Sequence, residues 1–431
     1  MFLFVLIFLI LVVIRPQDYP ALVDSMPFPI LTVSLLIGAV LWIFSSRKSF
    51  GAPHYVLLIL FLLAAMASKV VNGWAGGAIV VLTAFAPVLL IFVLLSNAAD
   101  TRGRVEVVMA VLSLCATVLS LHGIEQQALG IGWTGIGLSQ GTRIQYVGIF
   151  NDPNDLGMLF VMCLPMCVYL GNRGGLMGMR RLFWFACAGI LLYGIYLTNS
   201  RGTLLALLVI LGIYVWQRFG MVVAGVVGAA ALGGMLLLPS RMQELDVSEA
   251  SAMGRVESWY HGLEMFLGKP LLGVGAGGYE DLYALTAHNS YVLVLAETGI
   301  IGFTIWIAFV GYLFRMMFAV LRLQEISPTD LPPDAEDWEV LDQWQRDRAV
   351  AMALLLSLCA FFAAAFFLSR SYVIILYILA ALVVGYYTAM RRRYPELPAF
   401  SLVRDAFRWP LWSVAGVLGL YVVVKVLLAL A

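Results

Sequence analysis

The chain has 431 residues, of which 62% are hydrophobic and only 12% are charged, and its formal net charge at pH 7 is +1. Its mean hydropathy is +0.95, far from the half-apolar, quarter-charged balance of a soluble domain. These values exclude an ordinary soluble protein and predict an integral membrane protein. The near-neutral charge does not select a partner, and we expect no nucleic acid.

Apolar runs long enough to cross about 30 Å of hydrocarbon recur along the whole chain. They predict an all-α polytopic membrane protein, with residues 1–431 as one membrane domain of twelve to fourteen transmembrane helices. The first run is interpreted as a retained helix and not as a signal peptide, because no basic residue precedes it and no small-residue cleavage site follows it. The predicted spans are 2–14, 28–44, 55–67, 78–95, 105–121, 155–170, 182–197, 203–216, 219–238, 291–314, 349–368, 371–390 and 410–430.

The positions of the positive charges predict the orientation. If the N-terminus is cytoplasmic, 17 of the 26 Lys and Arg residues lie in cytoplasmic loops and 8 lie in the opposite loops. The positive-inside rule then places the large polar loop at 239–290 outside the cytoplasm. The acidic loop at 322–348 becomes cytoplasmic, and we predict a linker followed by a short amphipathic helix along the membrane, with a solvated acidic face.

The sequence offers little to a metal or a nucleotide. All five cysteines lie in apolar spans, which indicates neither a disulfide framework nor a zinc site. The stretch Gly273–Gly278 matches the GxGxxG spacing, but no strand precedes it, so we interpret it as a turn that bends the loop back towards the membrane. The absence of HExxH, Walker and acidic nucleotide-sugar motifs argues against a metalloprotease, an ATPase and a metal-dependent soluble-type transferase. We expect no metal and no cofactor.

Arg201 lies in a hairpin so tight that the helices on either side are nearly contiguous. Asn199 or Ser200 can cap the helix that begins near Thr203, and the positive end of that helix dipole points to the same place. An arginine at a helix N-terminus is a natural site for phosphate or pyrophosphate. The alternative is an arginine that reaches the lipid headgroups or pairs with a neighbour.

Arg255 precedes a segment that we predict to be a short amphipathic helix on the membrane surface, residues 260–267. Such a helix would present Arg255 and Glu257 to a lipid headgroup or a cavity, and Lys269 is close enough in sequence to share the role. The alternative is an internal ion pair of Arg255 with Glu257 or Glu264.

His288 directly precedes Asn289 and Ser290, which can cap the next helix. The positive end of a helix dipole lowers the pKa of an imidazole and favours the neutral form, which suits a general base. The alternative is a structural histidine. Glu297, deeper in the same apolar run, is a functional candidate because ionisable groups are rare there, although a buried hydrogen bond explains it equally well.

Four motifs in this order resemble the O-antigen ligase and polymerase superfamily, and the resemblance covers about residues 145–315. The motifs are Gly148-Ile149-Phe150-Asn151-Asp152-Pro153-Asn154, Asn199-Ser200-Arg201-Gly202, the 254–279 segment, and Ala287-His288-Asn289-Ser290-Tyr291 through to Gly299. Outside this core the chain is similar to the family only in being apolar.

The resemblance implies a metal-independent, inverting glycosyltransferase of the GT-C-like class in the bacterial inner membrane. Its donor would be a glycan on undecaprenyl pyrophosphate, used at the periplasmic face. Arg201 and Arg255 would hold the pyrophosphate, and His288 would activate the acceptor hydroxyl. Supporting roles are expected for Asn151, Asn154, Glu257, Lys269, Asn289, Tyr291 and Glu297.

The acceptor is not specified by any residue pattern. A polymerase would use another lipid-linked repeat and could work with a chain-length regulator, whereas a ligase would use lipid A core. We favour the polymerase because no outer residue indicates recognition of a highly phosphorylated lipid A core. A transporter or flippase of lipid-linked glycans would instead require broken helices in corresponding halves of the chain, and the sequence shows no such symmetry.

Overall fold

The computed structural model describes residues 1–22, 29–46, 48–173, 178–237, 245–323 and 337–430, and these form fifteen α-helices and no β-sheet. The predicted all-α polytopic fold is therefore confirmed. The helices are α1 (Phe2–Ile14), α2 (Ile30–Ile43), α3 (His54–Val71), α4 (Ala75–Ala98), α5 (Arg102–Leu129), α6 (Pro153–Asn172), α7 (Met179–Leu197), α8 (Arg201–Phe219), α9 (Met221–Leu237), α10 (Leu245–Gly268), α11 (Tyr279–Leu282), α12 (Ser290–Leu321), α13 (Asp337–Ala365), α14 (Ile374–Arg393) and α15 (Arg408–Leu430).

Each of the thirteen predicted spans coincides with a helix. Within the described ranges, nine helices are long and apolar enough to cross a membrane, namely α3 to α7 and α12 to α15. The remaining four, α1, α2, α8 and α9, are apolar but do not meet that criterion over their described residues. The hydrophobic runs thus predicted where helices form. The number of helices that cross the bilayer depends on whether α1, α2, α8 and α9 do so.

An ion-pair cluster closes one end of the helical bundle. Asp347, in the first half of α13, is only 1% exposed and pairs with Arg102 at 3.2 Å and Arg393 at 2.7 Å. The residues predicted to form a short amphipathic helix instead begin the 29-residue α13 at Asp337; Asp347 is buried, whereas the side chain of Asp342 is 46% exposed. Residues 324–336 of the predicted acidic loop lie outside the described part of the chain.

The loop predicted at 239–290 is largely helical. The 24-residue α10 replaces the expected surface helix at 260–267. Trp259 and Leu263 are each 4% exposed, and the Trp259 ring packs 5.3 Å from that of Phe366. Burial of these side chains packs α10 against the other helices. Positions 239–244 of the predicted loop lie outside the described residues.

The glycine-rich segment after α10 docks on a break in α12. Gly299 has φ 61°, which interrupts the helix and leaves backbone groups on both sides of it without helical partners. The amide of Ile300 donates to the carbonyl of Pro270 at 2.8 Å, and the amide of Val274 donates to the carbonyl of Ala296 at 2.9 Å. The GxGxxG match is thus a turn that returns to the membrane helices. Its amides at Val274 and Gly275 donate hydrogen bonds to backbone carbonyls of α12.

Replacing Gly273 by alanine is expected to destabilise the fold by at least about 2 kcal/mol. Gly273 has φ +69°, and a Cβ there would overlap the backbone of Ala296 and Glu297, which cannot move aside. Gly277→Ala is the matched control, because Gly277 has φ +71° but no atom within 4 Å of an added Cβ. The thermal unfolding midpoints of the detergent-purified variants check this. Equal midpoints for the two variants would contradict a steric interlock.

Candidate functional site

Three helix N-termini and one loop meet at the end of the bundle opposite the ion pairs of Asp347. The two ends are about 27 Å apart along α13, because 18 residues at about 1.5 Å each separate Asp347 from the end of the helix at Ala365. A Cβ on Gly157 of α6 would overlap the side chain of Thr203 of α8, and one on Gly202 would lie 3.1 Å from the Cβ of Phe367. The first turns of α6 and α8 and the 366–373 loop are therefore in direct contact.

Arg201 is the first residue of α8. Ser200 is the cap, and its hydroxyl accepts from the Thr203 amide at 3.3 Å, as one of the two alternatives predicted. The Arg201 side chain is exposed, and within the described ranges it forms no ion pair. An exposed guanidinium therefore lies where the α8 dipole is positive.

Arg255 lies in the middle of α10 and is partly buried. Burial lowers the pKa of Arg255. The negative charge of Asp152 raises this pKa, whereas the positive charge of Arg201 lowers it further. Asp152 and Arg201 are therefore within electrostatic range of Arg255. Of the predicted alternatives, the pair with Glu264 is not formed; Glu264 instead accepts from His261 at 3.1 Å. Nor does Arg255 pair with any other acidic side chain among those described.

His288 stands in a strained turn at the start of α12. Its φ of 48° is unusual for a non-glycine residue. The Asn289 side chain accepts from the amides of Tyr291 at 2.9 Å and Val292 at 3.1 Å and so forms the predicted cap. Burial, and next the charge of Arg255, lower the pKa of His288, so the imidazole is neutral at pH 7.

Four charged groups act on His288: Arg255, Asp152, Arg370 and Glu280. Because Arg255 in turn is acted on by Arg201, the three residues predicted from separate motifs form one electrostatic cluster. They come from α8, α10 and the turn before α12. The structure therefore brings together the predicted site residues, although they span almost ninety positions of the chain.

The asparagines of the 151–154 motif build the turn into α6. The carboxylate of Asp152 accepts from the backbone amide of Asn154 at 2.8 Å and caps the helix. The side-chain Oδ1 of Asn154 accepts from the Arg143 guanidinium at 2.9 Å, and Arg143 also donates to the backbone carbonyl of Thr198 at 2.9 Å. Asn154 thus ties this turn to the Arg201 hairpin, while Asn151 is exposed beside it.

Two predicted supporting residues lie apart from the cluster. Lys269 bonds the side chain of Asn72 and follows the end of α10, about 20 Å along the helix axis from Arg255. It therefore lies apart from Arg255. Glu297 is 2% exposed and accepts from the amide of Tyr279 at 3.4 Å, so it holds α11, the helix that carries Glu280.

The other two supporting residues have different surroundings. Glu257 is exposed on α10. The ring of Tyr291 packs on Trp306 at 5.3 Å and on Phe366 at 6.1 Å, so it contributes to the floor under the His288 turn. Only a structural role is visible for Tyr291.

Sequence reasoning missed Arg370 and Asp155. The guanidinium of Arg370 forms a two-point ion pair with the carboxylate of Asp155, including an Nη2 to Oδ2 contact of 2.6 Å. One signal could have found Arg370, because Ser369-Arg370 separates two apolar spans as Ser200-Arg201 does. Its partner is 215 positions away and carries no such signal.

The cluster contains groups whose chemistry suits anion binding and proton transfer. Two guanidiniums and a helix N-terminus can hold a phosphate dianion, and a neutral imidazole can take a proton. The described residues contain no group of three or more His, Cys, Asp or Glu side chains placed to hold a metal ion. The positive charges in the described part of the site come from the side chains of Arg201, Arg255 and Arg370.

Residues 186–307 match the family model described as O-antigen ligase. This segment contains Arg201, Arg255 and His288 and lies within the 145–315 core expected from the motifs. No curated protein matches the chain. Together with the nine candidate membrane helices, the family match indicates a membrane enzyme of ligase or polymerase type. It confirms the predicted resemblance of this multi-pass membrane protein to the O-antigen ligase and polymerase superfamily.

Proposed function

We propose that this protein is an inverting, metal-independent glycosyltransferase that uses a glycan on undecaprenyl pyrophosphate. The observation that carries the proposal is the convergence of Arg201, Arg255 and His288 at one end of a membrane-spanning bundle. A lipid-linked donor suits this position, because its isoprenoid chain can stay in the bilayer while its pyrophosphate reaches the arginines. Undecaprenyl pyrophosphate then leaves as the sugar is transferred.

The two arginines stabilise the leaving group. Cleavage of the bond between the anomeric carbon and the pyrophosphate oxygen leaves its electron pair on that oxygen. Arg201, at the positive end of α8, and Arg255, with no acidic partner among the described residues, are placed to neutralise this charge as it develops. Arginine suits this role because its planar fork can bind two phosphate oxygens at once.

His288 activates the acceptor. The acceptor hydroxyl attacks the anomeric carbon from the face opposite the pyrophosphate, and its proton passes to the neutral imidazole. One glycosidic bond forms as one bond to pyrophosphate breaks, so the configuration inverts. The positive charges of Arg255 and Arg370 help keep His288 unprotonated before the attack.

The reaction would take place at the periplasmic face of the bacterial inner membrane. The support is the distribution of charge, with 17 Lys and Arg in loops on one side and 8 in loops on the other. Arg201, Arg255 and Arg370 belong to the poorer side, whereas Arg102 and Arg393 belong to the richer side.

We favour polymerase activity, with the acceptor a second lipid-linked repeat and a chain-length regulator as a possible partner. The description of the matching family supports ligation to lipid A core as the second candidate. Purified protein incubated with lipid-linked repeats alone is expected to give a ladder of glycan lengths on a gel. A ligase would give no product until lipid A core is added. A transporter would form no new glycosidic bond with either acceptor, and that result would overturn the proposal.

A further inference from the structure

The 366–373 loop, which joins α13 to α14, contacts the elements that carry Arg201, Arg255 and His288. Phe366 packs on Trp259, one turn along α10 from Arg255. Phe367 lies against Gly202, the residue after Arg201. Through Arg370 the same loop reaches Asp155 in the first turn of α6. A change in the loop would therefore shift all of these elements relative to one another.

The same loop holds the backbone on both sides of His288. Two residues before it, the Thr286 hydroxyl donates to the hydroxyl of Ser369 at 2.9 Å. Two residues after it, the Ser290 hydroxyl accepts from the amide of Arg370 at 2.8 Å and donates to the carbonyl of Leu368 at 2.6 Å. His288 is thus the middle of a five-residue turn whose ends are attached to one loop.

The loop is fixed in turn by the ion pair of Arg370 with Asp155. Asp155 is 3% exposed, so its charge is compensated by this guanidinium and not by water. A two-point contact also fixes the plane of the guanidinium, which a single hydrogen bond does not. The ion pair therefore links the first turn of α6, beside Arg201, to the loop that holds His288.

We propose that Arg370, anchored by Asp155, is a positioning residue that sets the distance between His288 and the arginine pair. This inference rests on the proposed glycosyl transfer. Arg370 acts through the 366–373 loop, and the reacting groups are held by Arg201, Arg255 and His288. Misplacement of a catalytic group by about 1 Å can cost roughly 10²-fold in rate. The expected defect is therefore in kcat and not in binding of the donor.

The test compares Arg370→Gln, Arg370→Lys and Asp155→Asn in the full-length protein, with Arg393→Gln as the matched control. Arg393 also pairs with a buried aspartate, Asp347, at the other end of the bundle, through a single contact of 2.7 Å between Nη1 and Oδ2. We expect kcat to fall by roughly 10²-fold in Arg370→Gln and Asp155→Asn, with the KM for the donor nearly unchanged. The loss of kcat should be smaller in Arg370→Lys, and Arg393→Gln should keep the wild-type kcat.

The pH profile separates positioning from a merely structural role. Arg370→Gln removes a positive charge that lowers the pKa of His288, so the acid limb of kcat/KM should move to higher pH. Asp155→Asn leaves that charge in place and should lower kcat without this upward movement. The double variant Arg370→Gln/Asp155→Asn has no unpaired buried charge, and its kcat should be no lower than that of Arg370→Gln.

Two results would overturn the positioning role while leaving the proposed function standing. One is wild-type kcat and pH profile in Arg370→Gln. The other is an equal loss of kcat in Arg370→Gln and Arg393→Gln, in proportion to lost thermal stability. Failure of the wild-type protein to transfer glycan would instead overturn the proposed function itself.

Discussion

Replacing Arg255 by alanine is expected to reduce kcat for glycan transfer by roughly 10²–10³-fold, the usual effect of removing one group that stabilises a developing negative charge. Arg201→Ala should have an effect of similar size. Because both guanidiniums are proposed to bind one pyrophosphate, the double variant should lose less activity than the product of the single losses. Release of undecaprenyl pyrophosphate from a synthetic lipid-linked repeat measures these rates.

Arg391→Ala is the control for a general loss of positive charge. Arg391 is exposed at the last turn of α14, at the end of the bundle away from the site. We expect it to retain wild-type activity. Arg255→Lys keeps the charge but loses the planar fork, so its activity should fall between those of wild type and Arg255→Ala. Wild-type rates in both Arg201→Ala and Arg255→Ala would contradict their assignment to the pyrophosphate.

Replacing His288 by alanine is expected to reduce kcat by roughly 10²–10⁴-fold, the usual contribution of a general base. The loss should leave the amount of folded protein in the membrane unchanged, because the Asn289 cap and the Ser290 hydrogen bonds remain. Asp152 is the competing base, since its charge also acts on His288. Asp152→Asn retains a good helix cap while removing the charge. Inactivity of Asp152→Asn together with activity of His288→Ala would move the assignment to Asp152.

The pH dependence follows from the direction of the His288 shift. The pKa of His288 lies below its ordinary value of 6.5, and the neutral form is the active one. On the acid side, kcat/KM should therefore stay high down to pH 6.5 and fall only below it. Bound pyrophosphate adds negative charge that favours the imidazolium, so the acid limb of kcat should lie at higher pH than that of kcat/KM. An acid limb of kcat/KM above pH 6.5 would contradict a base with a lowered pKa.

Helix positions were predictable because they depend on short-range properties of the chain. A run of apolar residues must bury or pair its backbone groups within itself, whatever its neighbours are. The caps were predictable for the same reason, since Ser200 and Asn289 each accept from amides within three residues. The positions of Arg201 and His288 beside helix N-termini could therefore be predicted from the sequence.

The structure of the polar 245–268 segment was not predictable in this way. Its apolar residues suggested a short surface helix, but α10 is 24 residues long and buries Trp259 against the 366–373 loop. Whether an amphipathic face meets lipid or protein depends on what packs beside it. Asp347 shows the same effect, because in an acidic stretch it was expected in solvent, and two distant arginines allow it to be buried.

The sequence by itself determined that this is a multi-helix membrane protein and that Arg201, Arg255 and His288 are its chemical candidates, because composition, periodicity and capping are local. Only the tertiary structure decided that these residues form one cluster, that Lys269 lies outside it, and that Arg370 and Asp155 form an ion pair beside it. The Arg370 to Asp155 ion pair joins residues 215 positions apart. Such contacts depend on how helices pack, and no local pattern specifies that.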